Sequence, residues 1–418
     1  MRRFAAREDG QAIVMVAIFM LAMLFAVGLA IDSGQLFVAK RTQQEAADAA
    51  AFAGAVALYQ GATTGSAGTA VAAAVADATL NGYTTGGTTT VTVNNPPTSG
   101  TFSGNSAYVE VTITTSVRTS LVPQESGLTT VRARGVAGNA PLNLGYAVIA
   151  VDQNCDSGTA TLSSNGSLLI TGGGIMINSC SATAGDNNGT VTLSPAGTYH
   201  TDVVGNATGS WPDLRTGRTV QPDPFAGYPK PSTTGLPTYS PACSPAINQP
   251  GIYTSTFNSN CDYVLAPGNY IFKGGGISLG GNSSLCNGAT CITPSAAGGV
   301  FLFLTQSTYP ATGGSCATLA LNGNNTTTLT PPTSGTYMGM LIMYDSNCSG
   351  TLSIGGNGSI TTTGTIYAPN GTIAGNGNNS AVSASQIIAK KIDTQNADFT
   401  ISYSTATTAQ PTVPALTE

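Results

Sequence analysis

The acid–base chemistry available to the long second half of this chain rests on ten aspartates: Asp152, Asp156, Asp186, Asp202, Asp213, Asp223, Asp262, Asp345, Asp393 and Asp398. Cleaving a glycosidic bond takes two carboxylates, one as acid and one as base or nucleophile. Gripping Ca²⁺ takes a cluster of them. Between Ser126 and Thr417 there is no Glu, and no two of the aspartates lie closer than Asp152 and Asp156. Asp202, Asp213, Arg215, Arg218 and Asp223 form the best candidate for a polar site, a polysaccharide-modifying one if the carboxylates converge. The plainer reading is a loop tied down by ion pairs. The sole histidine, His200, has no ligand partner at metal spacing, and no GxSxG, P-loop or EF-hand is present. The sequence therefore predicts no catalytic residue, no metal site and no cofactor, and the expectation is a protein that is not an enzyme.

Cysteine is the other reactive type. Cys155, Cys180, Cys243, Cys261, Cys286, Cys291, Cys316 and Cys348 are even in number, carry no CxxC spacing, and all follow the apolar segment described below. They predict disulfides outside the cytoplasm. Eight cysteines allow about 105 connectivities; neighbour pairing, 155–180, 243–261, 286–291 and 316–348, is the expectation from proximity.

Composition narrows the class. Only 8% of residues are charged and the net charge is −5, so no basic face exists to hold nucleic acid. Gly, Thr, Ser and Asn abound beside 41% hydrophobic residues. That is the composition of a turn-rich β-protein with a core.

The elements that position these groups begin with an anchor. Ala12–Ile31 is apolar and uncharged, and as a helix it spans roughly 30 Å, the thickness of a bilayer core. Arg2, Arg3 and Arg7 precede it and Lys40 and Arg41 follow, a bias toward a cytoplasmic N-terminus. Gly28-Leu29-Ala30 offers a signal-peptide cleavage site as the rival reading, but the apolar run is too long for an h-region and helical sequence continues past it. Residues 1–31 are thus read as a cytoplasmic stub and transmembrane helix. Beyond it, Ala46, Ala50 and Gly54 form one stripe of small residues and Ala47, Ala51 and Ala55 another, a face that lets a partner backbone approach closely. A second helix over 68–81 and strands over 88–94, 107–117 and 128–136 complete an α+β module at 32–140.

Gly10-Gln11 before the apolar helix, then Ile31-Asp32-Ser33-Gly34, Arg41, Gln44 and the run Ala46-Ala47-Asp48-Ala49-Ala50-Ala51-Phe52-Ala53-Gly54, resembles the N-terminal signature of TadG-like Flp-pilus assembly proteins. The Asn81-Gly82-Tyr83 helix end is similar too. The resemblance covers about residues 10–138 and implies a single-pass component of the tight-adherence pilus system, with pilus-assembly proteins and the cytoplasmic membrane as partners. Gly10, Asp32, Gly34, Ala46, Ala47, Asp48, Ala50, Ala51 and Gly54 carry the signature. Met15 stands where related pilins carry Glu after their trimming site, so entry into the filament as a pilin is not expected.

From 145 to 404 short apolar stretches alternate with Gly/Asn turns. Near the end, segments starting at Gly339, Gly364 and Gln386 align at separations of 25 and 22 residues. Strands returning at that interval without helices between them predict a parallel β-helix, with a β-sandwich as the alternative. The Pro-rich stretch 205–249 reads as a loop over this domain, and 405–418 as a frayed, disordered tail. Pieces such as Pro222–Pro231 and Gly364–Pro369 also resemble the long C-terminal halves of some TadG-like proteins. The functional expectation is a membrane-anchored, extracytoplasmic structural or assembly protein of a Flp pilus system. The alternatives are a surface polysaccharide-binding or polysaccharide-modifying β-helix, and an envelope adhesin without a pilus role. Thr and Asn on flat β-faces make surface glycans a possible partner.

Overall fold

The computed structural model describes residues 9–119, 128–156, 160–259, 261–287, 298–322, 324, 326–356, 358–376, 381–395 and 397–418. The chain divides into two compact units, Met1–Leu142 with Thr412–Glu418, and Asn143–Pro411.

The first unit is built on one helix, α1 (Asp9–Tyr59), which runs unbroken for 51 residues. Its sequence is rich in Ala, Leu, Met and Phe and has no Pro, so nothing interrupts the backbone ladder. Large apolar side chains along it, among them Ile13, Phe19, Leu24 and Ile31, are 55–72% accessible. Among the described residues this is the one helix long and apolar enough to cross a membrane. At its far end Gly61 takes φ +93°, and the bonds Gly61 N–H to Leu58 O and Ala62 N–H to Ala57 O close the last turn. That left-handed stop needs a residue without Cβ. The second helix, α2 (Thr69–Leu80), ends the same way on Gly82 and Tyr83.

Three antiparallel strands follow: β1 (Thr89–Asn94), β2 (Tyr108–Arg118) and β3 (Leu128–Pro141). Val109, Val111 and Ile113 alternate toward Ala46, Ala47, Ala50, Ala51 and Ala55 of α1 and toward Ala70, Ala74 and Ala78 of α2. The tail expected to fray does not. Thr412–Leu416 forms a fourth strand, paired antiparallel to Ala137–Pro141. Glu418 receives hydrogen bonds from Arg134 and from the Thr101 amide. The bare edge of β3 supplies the backbone partners that the Thr/Ala/Pro composition alone does not suggest.

The second unit is mainly β, and its described residues form parallel sheets of 18 and 9 strands. Strands on successive returns of the chain pair in register: Tyr270 opposite Leu302, Leu302 opposite Ile342, Ile366 opposite Ile387. Met340 faces Thr365 and Thr365 faces Gln386, separations of 25 and 21; the second expected interval is one residue too long. The strands Val300–Thr305 and Met340–Tyr344 are buried along their whole length because both faces are covered, which is why they read as continuous apolar runs. Leu302 and Leu304 point into one core, and Phe301 and Phe303 into a second on the opposite face.

Connectivity in the larger sheet is not sequential. The chain enters at Tyr146–Ala150, and the next two returns stack on one side, at Gly174–Ile177 and Thr201–Val203. It then reappears at the opposite end, at Thr238-Tyr239, and works back until Ile387–Ala389 pairs with Val148–Ala150. Residues 216–237 therefore cross about 48 Å of stacked strands at ~4.8 Å each. A Pro-rich, extended chain of that length reaches about 70 Å, so Pro222, Pro224, Pro229, Pro231 and Pro237 suit a crossing strap. The expected loop is this strap. At its ends, short strands at Ala207–Gly209, Leu214-Arg215, Thr238-Tyr239 and Ile247-Asn248 were too brief to show alternation.

Three cysteine pairs sit at disulfide distance as neighbour pairing expects: 155–180, 243–261 and 316–348, with Cα atoms 4.6, 5.4 and 5.8 Å apart. Cys286 is disulfide-bonded, and the expected pair 286–291 involves Cys291, which lies outside the described residues.

Phe225 plugs the strap into the second core, 5.4 Å from the ring of Tyr367. Phe225→Ala is expected to destabilise the unit by roughly 3 kcal/mol and to speed proteolytic cutting between 216 and 237. Denaturant unfolding and limited proteolysis check both.

Candidate functional site

Five of the signature residues, Ala46, Ala47, Ala50, Ala51 and Gly54, share the buried side of α1. Ala46, Ala47, Ala50 and Ala51 are buried. A Cβ on Gly54 would meet Val109 Cγ1 at 3.0 Å, and one on Gly135 would meet the Ala47 carbonyl carbon at 2.8 Å. Helix and strand backbones are thus close to contact, and only small residues permit it. Gln44 Nε2 donates to Asp48 Oδ1 at 2.8 Å and to the Arg134 carbonyl at 2.6 Å. Gln43 Nε2 donates to the carbonyls of Val131 and Ile113. Burial pushes the Asp48 carboxyl up, against the lowering bond from Gln44.

This corrects one expectation. The small-residue stripe is not free for partners, because the unit's own β2, β3 and α2 occupy it. Gly34 stays open, with nothing within 4 Å of a built Cβ. Asp32 is buried, and Gly10 lies in the first turn of α1. Beyond the apolar run α1 leaves Phe37, Val38, Phe52 and Tyr59 exposed, together with polar residues such as Lys40, Arg41 and Glu45.

In the second unit, the candidate polar group separates. Asp202 is fully buried and is gripped by Arg215, Nε to Oδ1 at 2.6 Å and Nη2 to Oδ2 at 2.7 Å. Arg218 Nε stands 3.5 Å away, and the Tyr146 hydroxyl donates to Oδ2 at 2.7 Å. Burial works to raise the Asp202 carboxyl, but these bonds and the two guanidinium charges outweigh it and hold it below the usual range. The same contact pushes Tyr146, already raised by burial, up to about 12. Asp223 instead accepts from the Tyr367 hydroxyl at 2.7 Å and from the Phe225 amide at 3.0 Å. Burial pushes it up, only partly offset by those bonds. Asp213 sits in a left-handed turn at φ +45° and makes neither set of contacts.

Sequence reasoning missed a third anchor of the strap. Lys230 Nζ lies 2.6 Å from Asp345 Oδ1, a buried carboxylate that the Asn347 amide and the Thr305 hydroxyl also bond. Lys230 and Asp345 lie too far apart in sequence for spacing to link them. On either side of Lys230, the Tyr228 hydroxyl donates to the Thr336 carbonyl at 3.0 Å and the Pro231 carbonyl accepts from the Tyr309 hydroxyl at 2.7 Å. The carboxylates Asp202 and Asp345 each have a cation of their own, and these pairs hold the strap and its approach. A cavity of about 360 Å³ is lined by Gly299, Thr330, Pro331, Met338, Gly339 and Thr407 among others, none of them ionisable. Among the described residues, no three His, Cys, Asp or Glu gather as metal ligands would.

Residues 10–57 match the family model of Flp pilus-assembly TadE/G-like proteins (Tad). The match covers α1 from its first turn nearly to its end, and so takes in both the exposed apolar half and the small-residue half. No curated protein matches the chain. No solved structure matches it either.

Gly135→Ala forces its Cβ against the α1 backbone, and a loss of about 2 kcal/mol in the first unit is expected, read by thermal unfolding of detergent-solubilised protein. The folded pKa values of Asp202 and Asp345 lie below the ordinary carboxylate value. Their stabilisation is therefore present above that value and is lost as pH falls through the folded pKa. Lys230→Met strands a buried carboxylate at a cost of roughly 3 kcal/mol at neutral pH. Melting curves from pH 7 to 3 should show the gap to wild type closing as Asp345 protonates.

Proposed function

We propose that this chain is a membrane-anchored, surface-exposed structural or assembly component of a Flp (tight adherence) pilus-type system, with no catalytic role. The observation that carries the reading is the TadE/G-like match at residues 10–57, falling on a helix whose first half is apolar and exposed while its second half is the spine of a folded unit. The N-terminus is assigned to the cytoplasm from the arginines ahead of the span, and the bulk of the chain to the outside. Three cysteine pairs at disulfide distance support an oxidising compartment.

The second unit is read as a parallel β-helix that presents surface. In-register parallel pairing at successive returns supports it, as do two cores stacked along the sheet. The non-catalytic reading draws on the carboxylates: the aspartates of the candidate cluster are spread over separate contacts.

An epitope inserted at the exposed Gly313-Gly314 turn tests the assignment in cells. The protein is expected in the carbonate-resistant membrane fraction, with the epitope removed by protease added to spheroplasts. The deletion strain is expected to lack surface pili. Recovery of the epitope from the soluble fraction, or normal piliation without the gene, would overturn the reading.

A further inference from the structure

The smaller parallel sheet of the second unit turns a hydroxyl-covered face outward. Its strands Ser359–Thr362, Ala381–Ala384, Asp398–Ser402, Ser167–Thr171 and Thr190–Ser194 pair with their neighbours in register. Alternate residues go inward, so that Ile360, Val382, Phe399, Ile401, Leu168 and Leu193 join the core that also holds Leu302. Of the thirteen positions left facing outward on these strands, ten are Ser or Thr. In the middle row Thr361 faces Ser383 and Ser383 faces Thr400, while Leu169 stands between Thr400 and Thr192. That row crosses about 19 Å of sheet. Thr361, Thr400 and Thr192 are exposed. Among the described residues, the hydroxyls of Thr400 and Thr192 make no hydrogen bond within the chain. The one charged side chain on this face, Asp398, accepts from the Ser167 amide at 3.1 Å.

The cavity of about 360 Å³ adjoins the same strands, and its size is at the lower end of ligand sites, roughly 300–1,000 Å³. Thr363 follows directly on Ser359–Thr362, and Thr330 follows directly on Thr327–Leu329, the strand paired with it. Both line the cavity. They therefore carry the outward positions of Thr361 and Thr328 two residues further, into a concave site. Its walls combine the apolar surface of Pro331 and Met338 with threonine hydroxyls, and no ionisable side chain lines it.

Such a surface gives a protein partner little, since it holds no aromatic or arginine anchor and no apolar centre to bury. With no basic side chain on the outward positions, it has no hold on nucleic acid or anionic lipid. A hydroxyl both donates and accepts, so the matching ligand is uncharged and is itself dense in hydroxyls. One such bond in water contributes little, and only contacts repeated along a polymer add up. We propose that the cavity and the Ser/Thr face form one binding site for a neutral polysaccharide. One sugar sits in the cavity against Thr330, Thr363 and Met338, and the chain crosses the strands along Thr361, Ser383 and Thr400. Binding of this kind is independent of the pilus reading above.

The test is retention of the purified full chain on cellulose and on cross-linked dextran, in a zwitterionic detergent without a sugar headgroup. Retention on at least one of these uncharged matrices is expected, unweakened by high salt because no ion pair is involved. A soluble glucan should compete for it, and the same mass of glucose should not. Thr192→Val/Thr361→Val/Thr400→Val removes three hydroxyls while keeping residues that favour strands, and retention is expected to fall about tenfold. The matching triple Ser variant keeps the hydroxyls and should bind as wild type does. Thr363→Val, in the cavity, should weaken retention several-fold, and melting curves check that each variant is folded. No retention on either matrix overturns the proposal. So does retention that the Val variants leave unchanged, or an equal loss in the Ser variant.

Discussion

The short parallel ladder between Ile387–Ala389 and Val148–Ala150 is the interaction on which the second unit depends. It joins the last returns of the chain to the first, so that the sheet is continuous only once both are made. Because the chain enters in the middle of the stack, residues leading away from Thr201–Val203 have to travel to the far end before pairing resumes. The strap and its anchors follow from that single requirement. Closing a contact between residues so far apart in sequence carries a large loop entropy. The returns made first hold an open strand edge until the last ones arrive, the kind of contact that slows folding.

The buried polar groups serve that crossing. A carboxylate taken out of water is costly unless a cation and hydrogen bonds replace the solvent. Asp202 and Asp345 each receive a cation from the strap or its approach, so the strap is specified in position as well as covered by apolar contact. The same economy appears in the first unit. Arg134 bridges Glu110 at 2.6 Å and Glu418 at 2.5 Å, which fastens the chain's last residue to the sheet. Although burial opposes it, that arginine and the hydrogen bonds from Thr98 and Ser99 hold the Glu110 carboxyl far below the usual range.

What was legible in the sequence was what local pattern encodes. The apolar run of α1, its Ala stripes, the Gly82 helix stop and the alternation of Val109, Val111 and Ile113 all appear where their periodicity puts them. The aligned segments at 339, 364 and 386 pair as parallel neighbours to within one residue. Three neighbouring cysteine pairs are correct because adjacent returns of the chain bring successive loops together. Non-local matters were not legible. Nothing in Thr412–Leu416 announces the β3 edge it covers, and nothing in the second half's pattern says that the sheet is entered from its middle. The Ala stripe showed that something packs closely on α1, but a spacing rule does not distinguish an internal partner from an external one. The polar cluster was chosen by proximity in sequence, yet the fold sends Asp223 to Tyr367 and brings Lys230 to Asp345.

The unbroken course of α1 has a mechanical meaning. The helix carries no proline and runs unbroken, but Ser33-Gly34, a Ser/Gly pair of the kind at which helices kink, follows its apolar run; held straight, the apolar segment and the spine of the folded unit form one rod. From Ile31 to Tyr59 the rod projects about 42 Å. A tilt of about 20°, ordinary for a membrane helix, swings its tip sideways by roughly 14 Å. Where the apolar run spans a bilayer, the thickness of that bilayer is a lever on where the first unit is held, with the helix as its arm.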